Sequence, residues 1–385
     1  MGHPHNGWRA SPGRGRGFSL IELMVGILIS LICTLAIMAA FAVFEGQKRT
    51  TSSGDDAQQN GSYSLYYMER QIRTAGSGLI QGKSYGLWGC AISARTSATV
   101  ALPAGTLAAP FGSWVTTLAM PVLIAQGGTD GSGNALPDVI GVVSGNSAGR
   151  VFKATVNSTP DVTHVVVANS FGIFLDDYLL GTLNNGTCAL GQASAAPDAL
   201  NNIALNASNS LAAGMNGTTN VYDLGNAPVL SLFGVNTTSN SLVQYDLLQR
   251  RINGVAPGAV PIADGIVQIK ALYGIHDGST PCGVADPDCI DKWVQPSGTW
   301  AYSALTANPL AANNAVNQIK AVRVVVVAQS RLPERATDYV GKLTLLLFSD
   351  LPAALRYTIT TQPQYRYKVY DTTIPIRNAM ITKYF

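Results

Sequence analysis

The sequence predicts an α+β protein: a long N-terminal helix, half of it in a membrane, followed by a β-rich antiparallel head. Three observations carry this. Residues 18–44 are predominantly apolar and carry one charge, Glu22. A polar segment with apolar residues at helical spacing follows, closing at Gly76. From residue 77 onward, runs rich in β-branched residues alternate with Gly, Asn, Asp and Pro.

The chain has 385 residues, of which 47% are hydrophobic and 12% charged. That length allows one large or two medium domains with a sizeable core. The composition excludes a disordered, solvating chain. The net charge of +3 has a local origin. Arg9, Arg14 and Arg16 lie in residues 1–17, which hold no acid, so the remaining 22 basic residues meet 22 acidic ones. A neutral body offers no basic surplus for direct nucleic-acid binding.

Residues 1–17 are basic and rich in Gly and Pro, with nothing to pack. The uninterrupted apolar part, residues 23–44, has 22 residues and no Pro. As a helix it is about 33 Å long, against a bilayer core of about 30 Å. Twelve of these residues are Leu, Ile, Phe or Val; at their insertion energies they favour the membrane by about 4 to 7 kcal/mol. An acid at mid-span costs about 3 kcal/mol, and Glu22 sits at the edge, where the cost is less. The arginines place residues 1–17 in the cytoplasm and export the rest. A plain signal anchor leaves Glu22 unexplained. A cleavable secretory signal has a candidate site at Ala40-Phe41-Ala42, but the apolar stretch exceeds the usual 7–15 residues.

The junction itself is more informative. A basic leader ends in Gly17, and Phe18-Ser19-Leu20-Ile21-Glu22 follows, continuing through Leu23-Met24-Val25 into the span. This arrangement resembles the type IV prepilins. The resemblance implies a pilin-like fold, with a leader peptidase cutting between Gly17 and Phe18 and methylating the new Phe18 amine. Glu22 is then the subunit-assembly residue. A carboxylate among apolar neighbours is unfavourable unless paired, and the cationic amine of an adjacent subunit is its natural partner in a helical bundle.

In residues 62–76, Leu65, Met68, Ile72 and Ala75 share one helical face, Glu69 and Arg73 form an i, i+4 pair, and Gly76 suits a C-cap. This resembles the amphipathic half of the pilin helix. Gly46, Gly54 and Gly61 each weaken a helix by up to ~1 kcal/mol, so a break is expected between Glu45 and Ser62. The expected division is therefore 1–17 leader, 18–44 bundling half, 45–76 linker and amphipathic helix, and 77–385 exported head.

In the head, strands are expected at 119–125, 139–143, 151–156, 162–168, 229–233, 242–248, 266–273, 321–329, 342–348 and 365–374. The run AVRVVVV, residues 321–327, suits burial on both faces. Residues 181–220 are rich in Asn, Ala, Ser and Gly and read as a low-complexity loop. Three stretches resemble two minor families, the PilW-type minor pilins and the J-type minor pseudopilins of type II secretion. They are DGIVQIKALY from Asp264, KAVRVVVVA from Lys320, and YDTTIPIRN from Tyr370. The last is closer to the PilW type, and Pro375 within it suits an edge strand.

Of five cysteines, Cys33 lies in the span as a small apolar residue. The other four are exported, where oxidation is expected. Cys282 and Cys289 bracket a short loop and are expected to bridge; Cys90–Cys188 follows by elimination. A metal site lacks C-x-x-C spacing.

No enzyme pattern is complete. Gly78, Gly82, Lys83 and Ser84 fall one residue short of a P-loop. His164 reads as a strand residue, and His276, in a loop beside Asp277, has no nucleophile pattern around it. Asp130, Ser132, Asn134 and Asp138 lack the acids of a calcium loop, and Asp286, Asp288 and Asp291 read as solvated. No catalytic residue, metal or cofactor is expected.

The implied function is structural: a PilW-type minor pilin that helps start, and enters or caps, a type IV pilus serving motility, adhesion or DNA uptake. Implied partners are other minor pilins, the major pilin, the prepilin peptidase and the inner-membrane assembly platform. The head is periplasmic before assembly and extracellular after it. A J-type pseudopilin and a membrane-anchored periplasmic enzyme or binding protein stay open as alternatives.

Overall fold

The structure is a computed structural model. It describes residues 17–79, 87–95, 100–102, 106–147, 153–161, 163–205, 215–248, 258–279, 281–282, 288–308, 315–336 and 339–380. Residues 1–16 of the expected leader, residues 80–84 of the P-loop-like stretch, Asp286 and residues 206–214 lie outside these. The chain forms two compact units, Met1–Ser52 and Ser53–Phe385.

Helix α1 runs from Leu20 to Thr74 without interruption. The expected break at Gly46, Gly54 and Gly61 is therefore absent. From Ser53 on, tertiary contacts offset the glycine cost. Ser53, Ala57, Gly61, Ser64, Met68, Ile72 and Ala75 are buried at steps of four and three, one face of a helix. Small residues on the first two turns of that face allow close approach. A Cβ on Gly61 would meet the Tyr370 ring. Tyr370 Oη donates to the Gln58 carbonyl at 2.9 Å, and Tyr67 Oη to Gln244 Oε1 at 2.7 Å. The helix ends where Gly76 takes φ +79° and donates its N–H to the Val143 carbonyl at 2.8 Å.

The head follows as β1 (Ala91–Arg95), β2 (Val100–Leu102), β3 (Val122–Ala125), β4 (Val139–Ser144), β5 (Lys153–Asp161), β6 (His164–Val167), β7 (Tyr178–Thr182), β8 (Thr187–Gln192), β9 (Asn202–Ala204) and β10 (Asn220–Gly225). Then come β11 (Val229–Asn236), β12 (Ser241–Asp246), β13 (Val260–Asp264), β14 (Ile266–Ile275), β15 (Lys292–Val294), β16 (Ile319–Gln329), β17 (Thr344–Leu347), β18 (Tyr357–Thr360) and β19 (Tyr367–Pro375). They build an eight-stranded sheet in the order β2-β1-β8-β7-β10-β5-β6-β9. A five-stranded sheet β13-β12-β11-β4-β3, a four-stranded sheet β15-β14-β16-β19 and the pair β17-β18 complete the head. Every described ladder is antiparallel except β1 on β8.

Strand β16 explains the AVRVVVV run. Ten of its eleven residues are buried, Arg323 being half-buried. Val322, Val324 and Val326 face the main core with Met68 and Ile72, while Val325 and Val327 face a second cluster with Leu347, Phe348 and Tyr357. A strand covered on both faces has no polar side to show, so alternation disappears from its sequence. Pro375 closes β19, at the edge of its sheet.

The low-complexity reading of residues 181–220 gives way to structure. β8 and β9 lie inside it, and Ala189, Ala193, Ile203, Leu205 and Met215 join a separate small core with Val165, Leu179 and Val221. The apolar side chains here are small or widely spaced, so no run of β-branched residues marks the strands.

Candidate functional site

Gly17 and Phe18 precede the first helical residue and are exposed, Phe18 at 86%. Nothing lies within 4 Å of a Cβ built on Gly17. A peptidase needs such an accessible, non-helical bond. Ser19 is the N-cap, its carbonyl accepting from Leu23 N at 3.1 Å. Three residues on, Glu22 Oε2 accepts the Ser19 backbone N–H at 3.0 Å. Glu22 thus supplies the acidic half of a capping box, satisfying an otherwise orphaned donor at the positive end of the helix. The S-x-x-E spacing carries this signal, and sequence reasoning passed over it.

Beyond Glu22 the helix is long and apolar enough to cross a membrane, and its apolar window is unburied in the single chain. The two hydroxyls within it are satisfied locally: Ser30 Oγ donates to the Ile27 carbonyl at 2.9 Å, and Thr34 Oγ1 to the Ser30 carbonyl. Cys33 is free and exposed there.

In the head, Cys90 is bonded to Cys188 and Cys282 to Cys289, with Cα separations of 5.7 and 5.9 Å. The first bridge is buried and joins the two strands of the parallel pair, β8 through Cys188 and β1 through the residue just before it. Ligand atoms of His276, Cys282 and Asp291 lie within 4.8 Å of one another, but the Cys282 sulfur is in a bridge and offers no thiolate. Asp291 Oδ2 accepts the N–H groups of Asp277 and Gly278 at 2.8 and 2.9 Å, so its side chain is enclosed rather than solvated.

The other decoys resolve into structure. Asp130 accepts from the Ser132 and Asn134 N–H groups and from Asn134 Nδ2, closing a polar turn, and these bonds hold its carboxyl below the usual range. Asp138 belongs elsewhere: it is fully buried against Lys270, 2.7 Å away. His164 Nδ1 lies 3.0 Å from Asp161 at the surface.

An exposed Gly17–Phe18 bond, a capped and unburied apolar helix and a disulfide-stapled β head fit the class of membrane-anchored proteins with a prepilin-like N-terminus. Residues 13–38 match the prokaryotic N-terminal methylation motif. Residues 232–378 match the family model of the type IV pilus-assembly protein W, PilW. Both matches are to models of type IV pilus proteins, and together they point to a structural protein. The second match spans β12 to β19, while β1 to β10 lie outside both. No curated protein matches the chain. Among solved structures it is similar to a type IV-like pilin from Thermus thermophilus, at 8% identity over 54% of this chain and 85% of that one. The TM-score of 0.23 is too low to carry a fold argument.

Proposed function

We propose that this chain is a minor pilin that helps initiate a type IV pilus and is incorporated in it or caps it. The observation that carries the reading is the pairing of a methylation motif at residues 13–38 with a PilW match at residues 232–378 on one chain. In this reading, residues 1–17 are a cytoplasmic leader removed at Gly17–Phe18, and the Phe18 amine is methylated. Residues 18–44 bundle with other pilins, and residues 45–76 continue the helix toward the head, 77–385. Glu22 pairs with the Phe18 amine of a neighbouring subunit and sets the axial register. The head sits outside the inner membrane before assembly, and on the pilus afterwards, in contact with other minor pilins and the major pilin. The PilW match extends to residue 378, through the YDTTIPIRN ending, which favours a pilus over a secretion pseudopilus.

The test is the N-terminal mass of the protein recovered from membranes. A chain beginning at methyl-Phe18 is expected. One beginning near Glu45 would mean cleavage after Ala42, as for a secretory signal, and the pilin reading falls. Deleting the chain should cost the cell its pili; loss of protein secretion instead would point to the pseudopilus.

A further inference from the structure

Residues 331–336 and 339–343 lie at the surface and are laced to residues 361–366 as a strap. Ser330 N donates to the Arg366 carbonyl at 2.8 Å, Glu334 N to Gln364 at 2.7 Å, Gly341 N to Pro363 at 2.7 Å, and Thr361 N to Leu343 at 2.9 Å. Arg366 stacks over the Tyr339 ring at 4.4 Å and pairs with Glu334 at 2.8 Å. The strap carries two kinds of exposed side chain. Leu332, Val340 and Leu343 are 40%, 76% and 65% exposed. Arg331, Arg335 and Lys342 stand exposed beside them with no ion-pair partner among the described residues. The strap's described acid, Glu334, is taken by Arg366; Asp338 lies outside the described residues.

The strap is tied to the start of the head's helix, where Leu332 N donates to Ser53 Oγ at 3.2 Å. Ser53 is nine residues beyond Phe44, the last residue of the apolar span. Whatever the conformation between them, a chain of that length reaches at most about 32 Å. A bilayer crossed by residues 18–44 is therefore within reach of the strap.

We propose that this strap is a docking surface for the anionic phospholipid surface of the bilayer that the chain's own span crosses. Cations interspersed with exposed apolar side chains are what a headgroup surface accepts: the ammonium and guanidinium groups meet phosphates while Leu332, Val340 and Leu343 enter the acyl boundary. Asp55 and Asp56 are exposed on the helix just beyond Ser53, so contact runs through the strap and not the helix. Docking would hold the head against the membrane until assembly lifts it off. The inference rests on the reading of residues 18–44 as a membrane anchor.

Each cation near such a surface is worth about a fivefold gain in occupancy, and three are worth on the order of a hundredfold. The test uses the full chain carrying Cys33→Ser and Val340→Cys, the latter labelled with an environment-sensitive fluorophore. It is reconstituted in nanodiscs of phosphatidylcholine, alone or with about one-third phosphatidylglycerol. The expected result is blue-shifted emission, quenched by spin-labelled lipid, in the anionic discs only. It is lost in about 1 M salt and in the variant Arg331→Glu/Arg335→Glu/Lys342→Glu. Equal emission in both compositions, with the chain co-migrating with the discs, overturns the docking proposal and leaves the anchor reading standing. A shift that appears only with two chains per disc assigns the surface to a second copy and also overturns it. A chain that does not co-migrate with the discs refutes the anchor reading, and the docking falls with it.

Discussion

The Tyr370 ring occupies the space where a Cβ on Gly61 would stand. Tyr370 lies on β19 and Gly61 in mid-helix, 309 residues apart in sequence, and the Tyr370 hydroxyl is bonded to the Gln58 carbonyl one turn earlier. A residue that reads as a helix weakener is the position that lets the sheet edge meet the helix. Gly61→Ala should therefore destabilise the head by about 1–2 kcal/mol, because overpacking of about 1–3 kcal/mol exceeds the helix-propensity gain of up to 1. In a Tyr370→Ser background the same change should be neutral or stabilising. Thermal unfolding of the four proteins closes the cycle, and equal effects in both backgrounds would show that the contact is immaterial.

Asp138 and Lys270 form a fully buried pair. Asp138 also accepts the N–H groups of Gly127 and Ala271, each at 3.0 Å, and Lys270 Nζ lies 4.7 Å over the Tyr357 ring. Removing one partner leaves an uncompensated buried charge, so Asp138→Leu should cost about 3–5 kcal/mol, and the double change Asp138→Leu/Lys270→Met less than either single. Burial pushes the Asp138 carboxyl up, opposed by Lys270. Without Lys270 that carboxyl protonates more readily, so Lys270→Met should lose more stability at pH 8 than at pH 5. Denaturant melts at the two pH values measure this.

Asp223 gives the head a pH dependence of its own. Burial pushes its carboxyl up to about 6, with a smaller upward push from Asp177, against the Gly225 N–H and the Ser147 hydroxyl. The unfolded chain titrates near 3.9, so between about pH 4 and 6 the folded chain binds more protons. Its contribution to stability is full below about pH 4 and is lost as the pH rises through 6. Asp223→Asn should flatten stability across that window, and an unchanged pH profile would refute the assignment.

The two bridges should differ in weight. Cys90–Cys188 closes a separation of 98 residues and Cys282–Cys289 one of 7. In the chain-entropy model these are worth about 4.7 and 2.5 kcal/mol. Cys90→Ala/Cys188→Ala should therefore cost the head more than Cys282→Ala/Cys289→Ala, as read by unfolding of the purified, oxidised protein. A non-reduced peptide map with all four thiols free would remove the premise.

Glu22 has two roles to separate. Glu22→Ala loses both the Ser19 cap and the carboxylate; Glu22→Gln keeps an acceptor for Ser19 N–H and loses only the charge. Both variants should insert and be cleaved. If the carboxylate pairs with a neighbouring amine, both should enter pili poorly, with Gln no better than Ala. Sheared-pilus abundance against membrane abundance measures it. Full incorporation of the Gln variant would leave Glu22 a helix cap and nothing more.

Features that depend on local order can be read along the chain. The basic residues 1–17, the Gly17–Phe18 step, the lone acid Glu22 and the apolar run after it are contiguous, so their pattern is legible without a fold. The ten expected strands are present because β-branched runs between turn residues mark strands wherever they pack. The remaining features come from contacts between distant segments. Tertiary structure carried α1 through Gly61, where contacts from β19 and Gln244 offset a glycine that a local reading counts as a break. It ordered residues 178–205, where small side chains hide the strands and the Cys90–Cys188 bridge holds them. It took Asp138 from a supposed polar turn into the core, where Lys270 waits 132 residues away. Charge pairing, close approach and two-faced burial are relations between residues distant in sequence, and no window along the chain contains both partners.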